Sequence, residues 1–259
     1  MAGLSSIEVN SVKDKVVIVT GSSSGIGLEI AKILSAQKAT VVIACRDEVR
    51  GIEIHNQING NSEYINLDLS SFESIDKFTK SVNDKFSKVD ILINNAGVMG
   101  PPFSQTDDQL ELTFGVNYIG YYLLTNKIMP MLKEVKGSRV VNMSSIAQYK
   151  VKHIDWGNIN SQIYYDRWGT YALSNLFRMM FTVELEKKLR EKTYQTIALA
   201  CHPGVTMTNL TRHMPNVVRS SVIAKLLNYL IFQTPYQAAM PALMAAIACG
   251  SCQSGGQAT

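Results

Sequence analysis

The sequence predicts a single α/β domain over residues 1–259, built on one doubly wound parallel sheet with helices on both faces. Three observations carry that expectation. Short apolar runs rich in β-branched residues recur along the chain, as in strands buried on both faces. Longer stretches of helical period separate them, which is how a parallel sheet is covered by its crossover helices. A glycine-rich turn joins the first run to the first helical stretch.

The elements follow in order. Val16-Val17-Ile18-Val19 is the first strand, and Gly25 to Ala36 the first helix. Val41-Val42-Ile43-Ala44 is the second strand, followed by a helix from Glu48 to Ile58 and a weaker strand around Ile65. A helix over Ser71 to Phe86 leads to the strand Ile91-Leu92-Ile93, and a long helix over Asp107 to Leu132 leads to Val140-Val141. The last helix of this alternation spans Tyr171 to Lys192 and precedes a weak strand around Ile197. Residues 1–14 form an N-terminal arm, 147–170 an insert before the last helix, and 207–234 further helices. No linker or internal repeat interrupts this pattern.

Composition excludes several classes. Apolar residues make up 46% and charged residues 18%, which is too apolar for a disordered chain. The 25 Lys and Arg against 21 Asp and Glu give a dispersed excess of +4, so nucleic acid is not an expected partner. Four cysteines are too few for a disulfide scaffold and point to a reducing, cytoplasmic setting. Cys249-Gly250-Ser251-Cys252 has redox or half-zinc spacing but no second pair or histidine cluster, so no metal is expected. The run Glu184, Glu186, Lys187, Lys188, Arg190, Glu191 and Lys192 reads as a solvated helix face. From Leu226 onward there is no charged residue, yet Asn228, Pro235 and Pro241 break the tract before it reaches the ~20 apolar residues of a spanning helix. Burial beside the core or in an oligomer interface is expected there instead.

The first chemical signal is Thr20-Gly21-Ser22-Ser23-Ser24-Gly25-Ile26-Gly27, placed between a strand and a helix. Glycines allow a sharp turn and close approach of a pyrophosphate, while free amides at the helix start attract the anion. A dinucleotide is the expected ligand. At the end of the second strand an acidic residue would favour NAD and a basic one NADP, and here Arg46 follows Cys45. Arg46 offers a fork suited to phosphate, although Asp47 could pair with it at the surface; the reading leans to NADP(H).

These glycines, with Asn94-Asn95-Ala96-Gly97, Asp68, Asn117, Ser144-Ser145, Tyr171 and Pro203-Gly204 in order along nearly the whole chain, resemble the short-chain dehydrogenase/reductase superfamily. Ala44-Cys45-Arg46, Val98-Met99, Val116-Asn117-Tyr118-Ile119-Gly120, His202-Pro203-Gly204-Val205 and the insert with Trp156 and Tyr164-Tyr165-Asp166-Arg167-Trp168 look like its retinol-dehydrogenase-like and WW-domain-oxidoreductase-like branch. The resemblance implies a Rossmann-type sheet and hydride transfer between NAD(P) and a carbonyl or alcohol, small and lipophilic. It implies cofactor contacts from Gly21, Ser23, Ser24, Gly25, Ile26, Gly27, Arg46, Asp68, Leu69, Asn95, Ala96, Gly97, Tyr171, Asn175, Pro203, Gly204, Val205 and Thr208, with Thr206 and Thr208 toward the nicotinamide. Ser145 would hold the substrate oxygen, Tyr171 would move its proton, and Asn117 would hold a water and a distorted helix turn. It also implies a homo-oligomer formed through the long helices. Family members usually close with a further edge strand, whereas no strand-like run ends this sequence, so that strand is expected to be missing.

One departure matters. Where the family pattern has Tyr-x-x-x-Lys, this sequence reads Tyr171-Ala172-Leu173-Ser174-Asn175. One helical turn from the tyrosine, a lysine would hold the nicotinamide ribose and favour the tyrosinate; Asn175 can hydrogen-bond the ribose but brings no charge. Slow or alkaline-shifted catalysis is expected, and Asn175→Lys discriminates: a large rise in turnover would mark a weakened enzyme, and no turnover in either form a binding module. In principle Lys150 and Lys152 of the insert or Arg178 of the same helix could substitute for the family lysine, but nothing in the sequence places them near the ring and such residues are more often surface charges. A second class of function stays open: a dinucleotide-responsive binding or scaffold module without turnover.

Overall fold

A strand with no polar face must be covered on both sides, and that requirement organises the fold. The computed structural model describes residues 12–58, 60–204 and 233–247. Expectations placed on residues 1–11, on Val205, Thr206 and Thr208, on most of 207–234, and on Cys249, Cys252 and the final edge strand lie outside the described residues.

The strands are β1 (Val16–Thr20), β2 (Thr40–Cys45), β3 (Ser62–Asn66), β4 (Ile91–Asn94), β5 (Arg139–Met143) and β6 (Ile197–Cys201). They form one sheet, ordered β3-β2-β1-β4-β5-β6, with every neighbouring pair parallel. Val17 registers with Val41 on one side and Ile91 on the other. The winding reverses between β1 and β4, which opens a crevice at the carboxyl ends of those two strands.

Alternation along β1 divides the core into two layers. Val17 and Val19 pack with Ile30 and Leu34 of α1 (Gly25–Ala36), Ile54 of α2 (Glu48–Gln57), and Ala239 and Leu243 of α7 (Pro235–Ile247). Ile18 packs on the other face with Phe78 and Val82 of α3 (Phe72–Lys85) and Tyr121, Leu124 and Ile128 of α5 (Gly120–Leu132). In α3 the buried Ile75, Phe78, Thr79 and Val82 recur at helical spacing, and Ser71 caps the start by accepting from the Ser74 amide.

Two expected elements change in the structure. The single helix over Asp107 to Leu132 is instead a loop, a short α4 (Leu112–Phe114), a π-helical turn (Gly115–Ile119) and then α5. Gln109 adopts φ 61°, which no helix tolerates, and the Glu111 carboxylate caps the backbone amides of Thr113 and Phe114, so the helix begins there. The last long helix, α6 (Arg167–Glu191), begins four residues before Tyr171, because Asp166 accepts from the Trp168 amide at 3.0 Å. Within the charge-free tract, α7 buries Ala238, Ala239, Ala242, Leu243 and Ala246 against its own chain. Arg139 of β5 anchors it by donating to the Ala245 carbonyl at 2.7 Å. Among the described residues, no helix is long and apolar enough to cross a membrane.

Candidate active site

The glycine-rich turn lies at the carboxyl end of β1, on one lip of the crevice. Gly21 and Gly25 adopt positive φ angles of 66° and 57°, so the turn needs glycine there. A Cβ on Gly27 would stand 2.4 Å from the Gly21 carbonyl oxygen and 2.5 Å from Asn95 Nδ2, so this position too has no room for a side chain. Ser24 occupies the N-cap of α1 in extended conformation without a side-chain cap, and no acidic residue follows in the first turn. The orphan amides of that turn are therefore open to an anion. Ser22 Oγ is buried in the same turn without a partner. These features fit the pyrophosphate of a dinucleotide.

The other lip is the loop after β4. Asn95 donates from Nδ2 to the Thr20 carbonyl at 2.8 Å, while Thr20 Oγ1 accepts from the amides of Asn95 and Ala96 at 2.9 and 3.0 Å. Ala96 stands directly against Gly21, whose Cβ would meet the Ala96 Cα at 2.8 Å. Thr20 is a site-forming residue that the sequence reading used only as part of the turn.

At the end of β2, Arg46 is exposed and enters none of the described ion pairs, while Asp47 turns away to cap α2 by accepting from the Arg50 amide at 3.0 Å. Asp68 follows β3, and its Oδ1 accepts from both the amide and hydroxyl of Ser70 at 2.9 and 2.6 Å. The Leu69 side chain is buried in the core, which leaves only its backbone for a ligand. Ser23 and Ile26 are half-buried in the turn, and burial pushes the neighbouring Cys45 thiol up against its hydrogen bond with Ser23. Pro203 and Gly204 follow β6, with Gly204 at φ 73°.

The chemical end of the site gathers at the carboxyl ends of β4 and β5. Asn117 is fully buried in the π-helical turn. Its Oδ1 accepts from the Val98 amide, and its Nδ2 donates to the Val98 carbonyl, each at 2.9 Å. It pins the loop that carries Ala96 and Gly97. Ser145 follows β5 and caps the 3-10 turn Ile146–Lys150 by accepting from the Ala147 amide at 3.2 Å. Next to it, Ser144 donates to the Asn175 carbonyl at 3.3 Å, which ties the end of β5 to the turn of α6 that carries Tyr171.

The side chain of Asn175 is turned inward. It is fully buried, and its Nδ2 donates back to the Tyr171 carbonyl at 2.8 Å. Its Oδ1 accepts from Arg178 Nη1 at 3.3 Å. Arg178 is the residue that the sequence reading misplaced. It is 5% exposed and donates to the carbonyls of Asn117, Met143 and Ala96 at 2.5, 3.0 and 3.2 Å. Its guanidinium also lies 4.4 Å from the Tyr121 ring centroid. Burial pushes the Tyr121 phenol up to about 12, partly opposed by the Arg178 charge, and its hydroxyl donates to the Ala96 carbonyl. The apolar neighbours Phe177, Met179 and Met180 were the available signal that this arginine is not a surface charge.

The insert lies against the loop after β4. Tyr165 donates to the Pro101 carbonyl at 2.8 Å, and its ring meets Phe103 edge-on at 5.4 Å. Trp168 packs over Gly100, and Asn160 Oδ1 accepts from the Glu111 amide at 2.6 Å. Ile163, Tyr164 and Trp156 remain exposed.

Comparison with known proteins agrees with this geometry. A family model described as short chain dehydrogenase matches residues 15–217. Retinol dehydrogenase 13 of Mus musculus is 39% identical over 246 residues, covering 92% of this chain and 73% of that protein. Its Homo sapiens counterpart is 36% identical over 250 residues, with the same 92% and 73% coverage. A solved structure of an uncharacterized protein from Mycobacterium paratuberculosis matches at TM-score 0.76 and 32% identity, over 93% of this chain and 79% of that one. The six-stranded parallel sheet with helices around it agrees with these matches. The chain belongs to the short-chain dehydrogenase family of oxidoreductases, in its retinol-dehydrogenase-like branch.

Proposed function

We propose that this oxidoreductase uses NADP(H) and interconverts a small lipophilic alcohol and its carbonyl compound. One observation carries the assignment of roles. Among the polar residues around the ends of β5 and the first turns of α6, Ser145 and Tyr171 are half-buried, whereas Asn117, Ser144, Ser174 and Asn175 are buried. Of these residues, only the first two are not buried, which supports giving their hydroxyls the chemical roles. When bound, the reduced dinucleotide supplies the hydride that becomes the new C–H bond. The uncapped amides at the start of α1 hold its pyrophosphate, and Arg46 holds the additional phosphate that separates NADP from NAD. Ser145 donates a hydrogen bond to the substrate oxygen, and Tyr171 delivers the proton that turns the developing alkoxide into an alcohol. In the reverse direction Tyr171 takes that proton back.

A lipophilic substrate is supported by the aromatic and aliphatic side chains of the insert, Trp156, Ile163, Tyr164 and Trp168, and by the retinol dehydrogenases among the relatives. The free thiols of Cys45 and Cys201 suit a reducing compartment, which we take to be the cytoplasm. Exposed Tyr122 of α5 and Met180 and Val183 of α6 give an apolar surface through which we propose a homo-oligomer, testable by light scattering.

A second reading, a dinucleotide-responsive binding module, is favoured by the inward-turned, uncharged Asn175. One experiment separates the two. NADPH binding followed by fluorescence is combined with turnover of retinal and shorter aldehydes, in the parent protein and in Tyr171→Phe. Turnover that disappears in Tyr171→Phe while NADPH binding persists supports the oxidoreductase. Binding without turnover in the parent favours the module, and absence of NADPH binding overturns both.

A further inference from the structure

A buried cation without a counter-carboxylate is an expensive arrangement, and where one occurs beside a reaction centre its purpose needs stating. Arg178 is such a group. No acidic side chain pairs with it among the described ion pairs. Its donors go instead to four neutral oxygens, on Ala96, Asn117, Met143 and Asn175. Each acceptor belongs to a different wall of the site. Ala96 lies in the loop after β4, Asn117 in the π-helical turn, Met143 ends β5 two residues before Ser145, and Asn175 lies one turn after Tyr171. The space for the guanidinium is created by Gly97, whose Cβ would come within 3.1 Å of Arg178 Nη2.

Resting on the oxidoreductase reading above, we propose that Arg178 is a positioning residue that stands in for the cation missing at position 175. Positions 171 and 178 are seven residues apart and share a helix face, and helical side chains lean toward the N-terminus. Arg178 therefore reaches back toward Tyr171 through Asn175. The guanidinium donates to the Asn175 amide oxygen, and the Asn175 amide nitrogen donates to the Tyr171 carbonyl. This chain ends on the main-chain carbonyl of Tyr171 and holds the turn that bears it, and the buried guanidinium beneath that turn supplies the positive field that favours the negative charge developing on the substrate oxygen. A short uncharged residue at 175 is what makes room for it. A lysine there would place a second cation against the first.

On this proposal Asn175→Lys brings no large rise in turnover. With Arg178 in place, the added cation has no vacant role. The test is a four-protein cycle: the parent, Arg178→Met, Asn175→Lys and the double variant, assayed for kcat and KM with NADPH and retinal, for NADPH affinity, and for thermal unfolding. The expected pattern is a loss of about tenfold or more in kcat for Arg178→Met, with NADPH affinity changed less than about threefold. Asn175→Lys alone should not gain, whereas the double variant should recover most of the lost kcat. The proposal is overturned if Arg178→Met retains parental kcat, or if it folds and the double variant recovers nothing. Should Arg178→Met fail to fold, the single Asn175→Lys variant decides: a gain of about tenfold over the parent would sink the proposal. A parent protein that binds NADPH but turns over no aldehyde overturns the oxidoreductase reading and this inference together. A turning-over parent with an indifferent Arg178 overturns this inference alone.

Discussion

The side-chain amide of Asn95 donates to the main-chain carbonyl of Thr20 at 2.8 Å, joining the two lips of the crevice. Both elements that would flank a dinucleotide are thereby held at one spacing before any ligand arrives. Asn95→Ala removes this bond and leaves the carbonyl of the fully buried Thr20 short of a donor, which costs about 1–3 kcal/mol. We expect an NADPH affinity reduced about tenfold with the overall fold retained. Fluorescence titration beside circular dichroism measures both; an unchanged affinity would show that the lips are held by other contacts.

Arg46 and Asp47 are neighbours in sequence but act separately, since the carboxylate caps α2 and the guanidinium is left open to solvent. Arg46→Ala should weaken NADPH by about tenfold or more and leave NADH within about twofold, because a charge-assisted phosphate bond is worth about 1.5–3 kcal/mol. Equal weakening of both would remove the basis for NADP preference.

Glu111 is buried at the start of α4, and burial raises its carboxyl above the usual range against the hydrogen bonds from Thr113 and Phe114. A carboxyl raised in the folded state binds its proton more tightly there than in the unfolded chain. Its contribution to stability is present below the unfolded value and is lost as pH rises through the folded one. Glu111→Gln removes this titration. The difference in Tm, variant minus parent, should therefore increase as pH is raised from the acid side of the ordinary carboxylate range toward neutrality. A flat difference would show that Glu111 carries no such linkage.

Leu243 of α7 is fully buried against the sheet layer that also holds Val17, Val19 and Leu34. Leu243→Ala should cost about 2–5 kcal/mol, as expected for a cavity in a packed core. Urea unfolding would show it as a lower midpoint. A cost under about 1 kcal/mol would mean that α7 contributes little to the core.

The strands and the dinucleotide end of the site were legible in the sequence because their determinants are local. An unbroken run such as Val16–Val19 has no polar face and must be an interior strand, and a glycine turn between strand and helix reports its own geometry. The start of α4 was not legible, because the cap that sets it comes from a carboxylate whose burial depends on the insert folded against it. The hydrogen bonds of Asn175 were not legible for a similar reason. Periodicity placed it on the same face as Tyr171, but the direction of its amide is set by a partner three residues on.

What the sequence by itself determined is the alternation of strands and helices, the parallel sheet, the phosphate-binding turn, and the order of Asn117, Ser145 and Tyr171 along the chain. What only the tertiary structure decided is where Arg178 goes. Its neighbours in sequence say that the position is apolar, but its four acceptors come from segments up to 82 residues away. A buried charge is tolerated only where the fold brings such acceptors together, and that convergence is a property of the packed molecule.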